Sequence, residues 1–368
     1  IEKMPKLQIA CNTAVRDGMV VFTNSEKAAE AHRTTLEFLL INHPIDCPVC
    51  DQAGECYLQD QYMGHGLYDA KVEIEDKVNK RKVVDLGPIM LDAERCVLCS
   101  RCIRFEREVT GTDLLGFVNR GNRTEITTFE NQPITHEYAG NLADVCPVGA
   151  LLSHEFRFKM RVWFLKSHES VCPGCSTGCN VSVDERDGEV QRLRPRRNAD
   201  VNKSWMCDPG RALYGEIGAT TRVTGARVRG PASWDGVAVS HALDVVEKEI
   251  EAAGEAAAVL ATPQPTNEHL FAFKKLAATA KGKLDCRVGD PQDKVSGRIA
   301  EVLQRADRNP NTQGCLDQGL GRVGVDAILE ACRAGEVQAL VLQGPELLRV
   351  ADVVDAVAKV PFVSVLAT

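Results

Sequence analysis

The chain has 368 residues, of which 44% are hydrophobic and 26% are charged, and its formal net charge is −7 at pH 7. This length allows two to four domains with hydrophobic cores, and the composition is that of a soluble globular protein. The acidic balance argues against broad nucleic-acid binding, and no apolar run approaches the roughly 20 residues that a membrane-spanning helix needs.

The first segment, residues 7–24, has the pattern of a hairpin. Residues 7–11 and 19–23 are strand-like, and Arg16, Asp17 and Gly18 are typical of the turn between two strands. Cys11 lies in the first predicted strand. Taken alone, it would be an ordinary buried cysteine.

A helix is predicted from Ser25, a typical N-cap, to about residue 42, because Pro44 cannot continue it. His43 then lies at the helix end, just before a group of three cysteines: Cys47, Cys50 and Cys56. His43 could be a cation at the helix C-terminus or an imidazole ligand to iron, and the spacing favours the ligand. A neutral ligand would raise the reduction potential of an iron–sulfur cluster.

The second group follows a charged stretch, residues 71–82, that is predicted to be a solvated loop. Three cysteines lie at the start of a helical segment that ends at Gly111, short strands and turns follow, and a helix at about 136–145 leads to a fourth cysteine before Pro147. The set is Cys96, Cys99, Cys102 and Cys146. Three arginines on the same helical segment could offset a negative cluster, although an ordinary polar face explains them as well: Arg101, Arg104 and Arg107.

The third group opens a small β-rich module with predicted strands at 181–184 and 190–193. Its cysteines are Cys172, Cys175, Cys179 and Cys207. A basic cluster at the second strand lacks aromatic neighbours, so a surface or subunit contact is favoured over nucleic-acid binding: Arg192, Arg194, Arg196 and Arg197.

Three kinds of cysteine chemistry compete for these groups. Disulfides need an oxidising compartment and usually occur in small, core-poor domains. Zinc sites usually pair two C-x2-C knuckles, whereas the second and third groups each place three cysteines in one short run. Three cysteines with a distant fourth, here before Pro147, are the ferredoxin pattern. Iron–sulfur clusters are therefore favoured over zinc, and a chain holding several such clusters is predicted to carry electrons.

After about residue 222, helices alternate with apolar strands, which predicts a parallel, doubly wound sheet. The helices are predicted at 234–253, 267–280, 325–334 and 350–358, and the strands at 256–261, 283–288, 337–342 and 361–366. No dinucleotide or P-loop fingerprint occurs, and nothing suggests hydrolytic catalysis. Three unclustered cysteines are predicted to be structural: Cys286, Cys315 and Cys332. Because the chain stops directly after a strand, the domain is expected to be cut.

Four segments carry a family resemblance: HPIDCPVCDQAGEC at 43–56, RCVLCSRCIR at 95–104, DVCPVGAL at 144–151 and VCPGCSTGCN at 171–180. Together they closely resemble the large iron–sulfur subunit of bacterial NADH:quinone oxidoreductase, respiratory complex I. The resemblance is very specific over residues 1–220 and looser beyond. It implies an α+β multi-domain fold, with ferredoxin-like iron–sulfur domains before a truncated α/β domain like that of molybdopterin oxidoreductases. The implied domains are 1–24, 25–66, 67–164, 165–221 and 222–368.

The resemblance also implies a ligand set for three [4Fe–4S] clusters. The first set is His43, Cys47, Cys50 and Cys56; the second is Cys96, Cys99, Cys102 and Cys146; the third is Cys172, Cys175, Cys179 and Cys207. In the family the third cluster lies off the main electron path. Cys11 matches the last ligand of the family's [2Fe–2S] site, but the three preceding cysteines are missing from this sequence, so Cys11 is expected as an orphan ligand.

By the same resemblance, electrons pass from an NADH- and FMN-binding subunit through these clusters toward quinone, and no residue acts as a catalytic acid, base or nucleophile. The expected partners are other subunits of the peripheral arm, without nucleic acid or a membrane span of its own, on the cytoplasmic side of a bacterial inner membrane. Pro209 stands where molybdopterin enzymes commonly have a lysine, so no molybdenum cofactor is expected. The alternatives are the equivalent subunit of an NAD-linked hydrogenase or formate dehydrogenase, an active molybdopterin oxidoreductase, and a zinc-stabilised interaction module.

Overall fold

A computed structural model describes residues 1–66, 77–287, 305, 307–321 and 324–366 of the chain. By its contacts the chain divides into two compact units. The first comprises Ile1–His168, Val183–Arg194 and Met206–Arg211, and the second comprises Glu169–Ser182, Pro195–Trp205 and Ala212–Thr368. Most of the predicted charged loop at 71–82 lies outside the described residues, and the domain boundaries implied by the resemblance stay a prediction.

The prediction of a hairpin at residues 7–24 is wrong. The segment holds a 3-10 turn, Ala10–Asn12, and no strand. Its apolar side chains lie open to solvent, with Ile9 69% and Val21 56% exposed, and Cys11 is exposed as well. Two short strands need a third strand or a packing surface to be stable in water, and these side chains are not buried against one.

The predicted first helix is confirmed. Helix α1, Glu26–Leu40, begins at Ser25, whose hydroxyl oxygen accepts a hydrogen bond from the Ala28 backbone N–H at 3.3 Å. Only Leu36 of this helix is buried. Helix α2, Tyr57–His65, begins directly after Cys56, so the cysteine loop of the first set connects the two helices.

The ferredoxin-like part of the first unit is built from short elements around an apolar core. Strands β1 (Val84–Asp85) and β2 (Ile89–Leu91) are antiparallel, and β2 also pairs with β5 (Leu151–Ser153). Helix α3 (Arg101–Phe105) continues into a π-helical turn that ends, as predicted, at Gly111 with φ +74°. Strands β3 (Leu115–Val118) and β4 (Glu125–Thr128) form a hairpin, and α4 (Gly140–Val145) leads to Cys146.

A three-stranded sheet follows, in the order β6–β7–β8. Its strands are Lys166–Val171, Asn180–Arg186 and Glu189–Pro195, which confirms the two predicted strands. Asp187 and Gly188 form the tight turn between β7 and β8 with φ +53° and +86°. Helix α5, Asp208–Ile217, begins directly after Cys207.

The predicted parallel sheet is confirmed in the second unit. A small antiparallel pair, β9 (Arg227–Arg229) and β10 (Trp234–Gly236), comes first. The parallel strands have the order β12–β11–β13–β14. Their bounds are Ala257–Ala261 for β11, Lys283–Cys286 for β12, Ala339–Gln343 for β13 and Phe362–Leu366 for β14.

Helices cover both faces of this sheet, because alternate residues of β11 point to opposite sides. Ala258 and Leu260 belong to one apolar cluster, and Ala257 and Val259 belong to another. Helices α6 and α7 pack on the second face, and α9 and α10 pack on the first. The bounds are Val239–Ala253 for α6, Asn267–Ala280 for α7, Thr312–Asp317 for α8, Gly324–Arg333 for α9 and Ala351–Val357 for α10.

One predicted boundary in this unit is wrong. The helix predicted from residue 234 begins at Val239, because Trp234–Gly236 pairs with β9 as a strand. Among the described residues, no helix is long and apolar enough to cross a bilayer.

Candidate metal centres

The first ligand set lines one cavity. His43, Cys47, Cys50 and Cys56 all face a space of about 420 Å³ that is partly open to solvent. The chain delivers them from the segment beyond α1, from a 3-10 turn at Cys47–Val49, and from the residue that precedes α2. Four donors that are spread over 14 residues of sequence thus converge because two helix ends meet at one loop.

His43 has the properties of a neutral ligand. Burial, followed by the positive charge of Arg95, lowers the pKa of His43 to about 4. Its Nδ1 atom is buried and has no hydrogen-bond partner among the described residues. A buried polar atom without a partner is uncommon in folded proteins. A neutral imidazole that presents a free ring nitrogen fits a metal ligand.

Arg95 joins the surroundings of the two cysteine sets. It precedes Cys96 in the chain, donates to Asp46 Oδ2 at 2.6 Å, and is also paired with Asp92. Burial raises the pKa of the Cys50 thiol, and the nearby Arg95 charge acts in the opposite direction. A fixed guanidinium at this position would favour a negatively charged cluster.

Close packing fixes the cysteine loop of the first set. A Cβ added at Gly149 would lie 2.5 Å from Cys50 Sγ, closer than two such atoms can approach. Arg161 donates to the Cys50 carbonyl at 2.5 Å. Arg192 donates to both carboxylate oxygens of Glu55, at 2.9 and 2.8 Å. Glu55 is the neighbour of Cys56, so the loop is clamped on both sides.

The second ligand set lines another cavity of about 330 Å³. Its lining includes Cys96, Cys99, Cys102 and Cys146. The loop between Cys96 and α3 is tightly turned, because Leu98 and Ser100 have φ of +56° and +60°. Burial raises the pKa of Cys102 to about 12 and that of Cys146 to about 11.

These pKa shifts describe the thiols before they bind metal. Burial disfavours a thiolate that has no partner charge, because the anion loses its hydration. Iron would supply that charge and displace the protons. The donor set is therefore suited to a buried, positively charged core.

One apolar cluster connects the two cavities. Cys56 from the first set packs with Val148 and Ala150, and Cys96 and Cys146 from the second set pack against the same cluster. The Cys56 thiol lies 3.7 Å from the Pro147 carbonyl oxygen. The segment that follows Cys146 thus borders both cavities, which places two donor sets side by side in a dry environment.

The third set is described only in part. The Cys172 N–H donates to the Cys179 carbonyl at 2.8 Å, and the Gly178 N–H donates to the Cys175 carbonyl at 3.2 Å. This turn brings three cysteines of the second unit together in sequence and hydrogen bonding. Cys207 lies in the first unit, directly before α5, and the set of four stays a prediction.

The ligand sets do not have the geometry of a site for a single metal ion. In the part of the chain that the structure describes, no three side chains of His, Cys, Asp or Glu form a group that could hold one ion. A mononuclear zinc site requires four ligands about 2.0–2.3 Å from one centre. The sulfurs around each cavity are spread more widely, as a multi-iron core requires.

Two features of the folded chain give no clear signal in the sequence. Arg95 is only an arginine beside a cysteine, because its contacts with Asp46 and Asp92 depend on the fold. The prediction that Cys286 and Cys315 are unclustered is wrong, since their Sγ atoms lie 2.8 Å apart. They are 29 residues apart in sequence, a spacing that is typical of no motif.

Comparisons with known proteins agree with these observations. Residues 32–71 match the NADH-ubiquinone oxidoreductase-G iron-sulfur binding region. Residues 87–152 match the NADH-quinone oxidoreductase subunit 3 ferredoxin-like domain, and residues 165–218 match the molybdopterin oxidoreductase Fe4S4 domain. The three matched regions contain all twelve predicted ligands of the [4Fe–4S] sets.

Similar proteins extend the likeness over most of the chain. The NADH-quinone oxidoreductase G 2 subunit of Rhizobium meliloti (strain 1021) is 38% identical over 83% of this chain and 36% of its own length. The corresponding G protein of the NADH-quinone oxidoreductase of Streptomyces coelicolor (strain ATCC BAA-471 / A3(2) / M145) is 38% identical over 76% of this chain and 34% of its own. The NADPH-Fe(3+) oxidoreductase subunit alpha of Geobacter sulfurreducens (strain DL-1 / KN400) is 36% identical over 77% of this chain and 33% of its own.

This chain thus spans about a third of the length of the curated relatives that it matches. A solved structure, the NAD+-reducing [NiFe]-hydrogenase in the H2-reduced state, matches 42% of this chain and 67% of that chain at 26% identity. Its TM-score of 0.38 is too low to indicate a shared overall fold.

Proposed function

Because the chain is a homologue of the G subunits of NADH-quinone oxidoreductase and carries iron–sulfur-binding domains of that family, we propose that it relays electrons from NADH toward quinone. The observation that carries this proposal is the pair of adjacent cavities, each lined by four candidate ligands and joined by one apolar cluster. Two redox centres that lie side by side in dry surroundings can exchange single electrons without a chemical intermediate.

In this proposal, each complete ligand set holds one [4Fe–4S] cluster, a group that accepts and returns one electron. The chain's own residues hold the clusters in position and set their surroundings. His43 contributes a neutral donor, Arg95 contributes a fixed positive charge, and the apolar cluster around Val148 excludes water. No side chain needs to transfer a proton to a substrate.

The remaining cysteines have other roles in the proposal. The third set, Cys172, Cys175, Cys179 and Cys207, holds a third [4Fe–4S] cluster that is mainly structural. Cys11 is one ligand of a [2Fe–2S] cluster whose other ligands lie outside this sequence. The α/β domain carries no molybdenum cofactor, an inference that rests on Pro209 where the related enzymes have a lysine.

We further propose that the chain works beside an NADH- and FMN-binding subunit and other subunits of the peripheral arm of complex I. The location would be the cytoplasmic side of a bacterial inner membrane. The relatives named as G subunits support this assignment. They favour it over the equivalent subunit of a hydrogenase or formate dehydrogenase.

A second candidate function comes from the Geobacter relative, whose name describes an NADPH-Fe(3+) oxidoreductase subunit alpha. The same clusters could serve in such an enzyme, because relay through them does not depend on the final acceptor. The two candidates differ in electron donor and acceptor. The assembled protein would reduce a quinone with NADH in the first case and a ferric complex with NADPH in the second.

Rapid mixing followed by freezing tests the relay directly. The assembled protein, with its flavin-containing partner, is mixed anaerobically with NADH and frozen at successive times for EPR. We expect two [4Fe–4S] signals to appear within one turnover, one missing in Cys50→Ser protein and the other missing in Cys102→Ser protein. If both signals appear with dithionite but neither appears with NADH within a turnover, the chain does not carry the electron current.

A further inference from the structure

Two cysteines that belong to none of the ligand sets lie against each other in the α/β domain. Cys286 is the last residue of β12, and Cys315 lies in α8. Their Sγ atoms are 2.8 Å apart. Both side chains are buried, at 1% and 0% exposed, in an apolar cluster with Ala261, Leu270 and Leu320.

We propose that Cys286 and Cys315 are a redox-responsive dithiol that closes reversibly to a disulfide. The contact is specific, because the third buried cysteine of this domain, Cys332, belongs to a different apolar cluster on the sheet. A disulfide would join positions that are 29 residues apart. It would connect the carboxyl end of a strand to a short helix.

The two thiols have different tendencies to ionise. Their mutual hydrogen bond, followed by burial, raises the pKa of Cys286, whereas the same bond lowers the pKa of Cys315. Thiol–disulfide exchange proceeds through the thiolate. Cys315 is therefore the thiol that reacts first, and Cys286 is the thiol that completes the bond.

The reaction needs an oxidant, which we take to be a small disulfide such as glutathione disulfide. The Cys315 thiolate attacks one sulfur of the oxidant, forms a mixed disulfide and releases one glutathione thiolate. The Cys286 thiol then loses its proton and attacks Cys315 Sγ, releasing the second glutathione. One protein disulfide forms, two thiol protons are lost to solvent or to the glutathione thiolates, and the oxidant is reduced to two glutathione molecules.

Burial makes this exchange conditional. Neither sulfur is open to solvent, so the oxidant reaches Cys315 only when α8 opens locally. A neighbouring anion also limits spontaneous ionisation. The Asp285 carboxylate is buried and accepts backbone hydrogen bonds from Cys286 at 2.7 Å and from Gly324 at 2.6 Å, and its charge raises the pKa of both thiols. We expect slow oxidation that accelerates in mild denaturant.

Peptide mapping tests the proposal without relying on the clusters. Trypsin separates the three cysteines, because Cys286 falls in peptide 284–287, Cys315 in 309–322 and Cys332 in 323–333. The full chain is equilibrated anaerobically in glutathione buffers from fully reduced to fully oxidised, with and without mild urea. Free thiols are then alkylated under denaturing conditions before digestion and mass spectrometry.

The expected result is a joined 284–287/309–322 peptide, lighter than the sum of its parts by two hydrogen atoms. It should increase with the fraction of glutathione disulfide, disappear after dithiothreitol, and persist in Cys332→Ser protein but not in Cys315→Ser protein. The wild-type result stands even if a variant fails to fold. The proposal is overturned if Cys286 and Cys315 remain as fully alkylated as Cys332 throughout, or if Cys286 is joined to Cys332 instead.

Discussion

His43 lies between the end of α1 and the first cysteine of its set, where burial and Arg95 keep its ring neutral. The spacing of the sequence was enough to predict a ligand at this position. It could not predict the Arg95 charge or the buried, unpartnered Nδ1 atom, because both depend on contacts between segments that are distant in sequence.

The ligand role of His43 predicts the effect of a substitution. In His43→Cys protein, a thiolate replaces a neutral imidazole, so the first cluster should become harder to reduce, by on the order of 100 mV. EPR-monitored redox titration measures this shift. The control is His154→Cys, because His154 pairs with Asp85 at 3.1 Å and lines neither cavity. An unchanged spectrum and potential in His43→Cys protein would remove His43 from the ligand set.

Gly149 provides a second test at the level of single residues. In Gly149→Ala protein, the new methyl group would meet Cys50 Sγ at 2.5 Å, so the cysteine must move and the first cluster should be lost or greatly reduced. Iron analysis and EPR measure the loss. Gly116→Ala is the matched control, since a Cβ there meets no atom within 4 Å. Equal cluster content in the two variants would contradict the close packing of Gly149 on the first site.

Among the elements, the β7–β8 hairpin supports the first site through a network of charges. Asp184 on β7 accepts hydrogen bonds from Arg192 Nε at 2.7 Å and from Arg194 Nε at 2.8 Å, and Arg192 also binds Glu55 beside Cys56. The two strands were predicted from their alternating pattern, and the pattern was sufficient. The basic cluster was predicted to be a surface or subunit contact, yet Arg192 is mostly buried and holds the cysteine loop.

This network predicts a pH-dependent contribution to stability. Burial alone would raise the pKa of Asp184, but Arg194 and Arg192 outweigh it and the pKa is lowered. A carboxylate with a lower pKa in the folded state stabilises the fold above its unfolded pKa of about 3.9, and this contribution is lost as the pH falls through the folded pKa.

Asp184→Asn should therefore destabilise the protein at neutral pH, by about 3 kcal/mol as for other broken buried pairs, and the difference from wild type should shrink at low pH. Thermal unfolding across this pH range measures it. Asp187→Asn is the control, because Asp187 is exposed in the adjoining turn, where a change below about 1 kcal/mol is expected. A wild-type-like Tm for Asp184→Asn at neutral pH would contradict the stabilising role of the network.

The elements also show where pattern-based prediction succeeds. The parallel sheet was predicted because β11 and β13 are continuous buried apolar runs, which alternate with helices along the chain. The N-terminal hairpin was predicted from the same kind of pattern and is absent, because strand-like side chains such as Ile9 and Val21 have no surface to pack against. Pairing of strands depends on partners that a local pattern does not describe.

At the scale of the whole molecule, two cavities in the first unit and an α/β domain in the second divide the chain between electron transfer and scaffold. The first two ligand sets could be predicted from spacing, and their common apolar cluster could not, because Cys56, Cys96 and Cys146 meet only in the folded chain. The contact between Cys286 and Cys315 likewise depends on the parallel sheet that joins β12 to its neighbours.

The most direct test of the central claim is a metal and sulfide analysis of the anaerobically purified chain. Three [4Fe–4S] clusters predict about twelve iron and about twelve acid-labile sulfide per chain, with a reduced EPR spectrum that contains [4Fe–4S] signals. Zinc in place of iron, without acid-labile sulfide, would contradict the account and identify the cysteine sets as structural zinc sites.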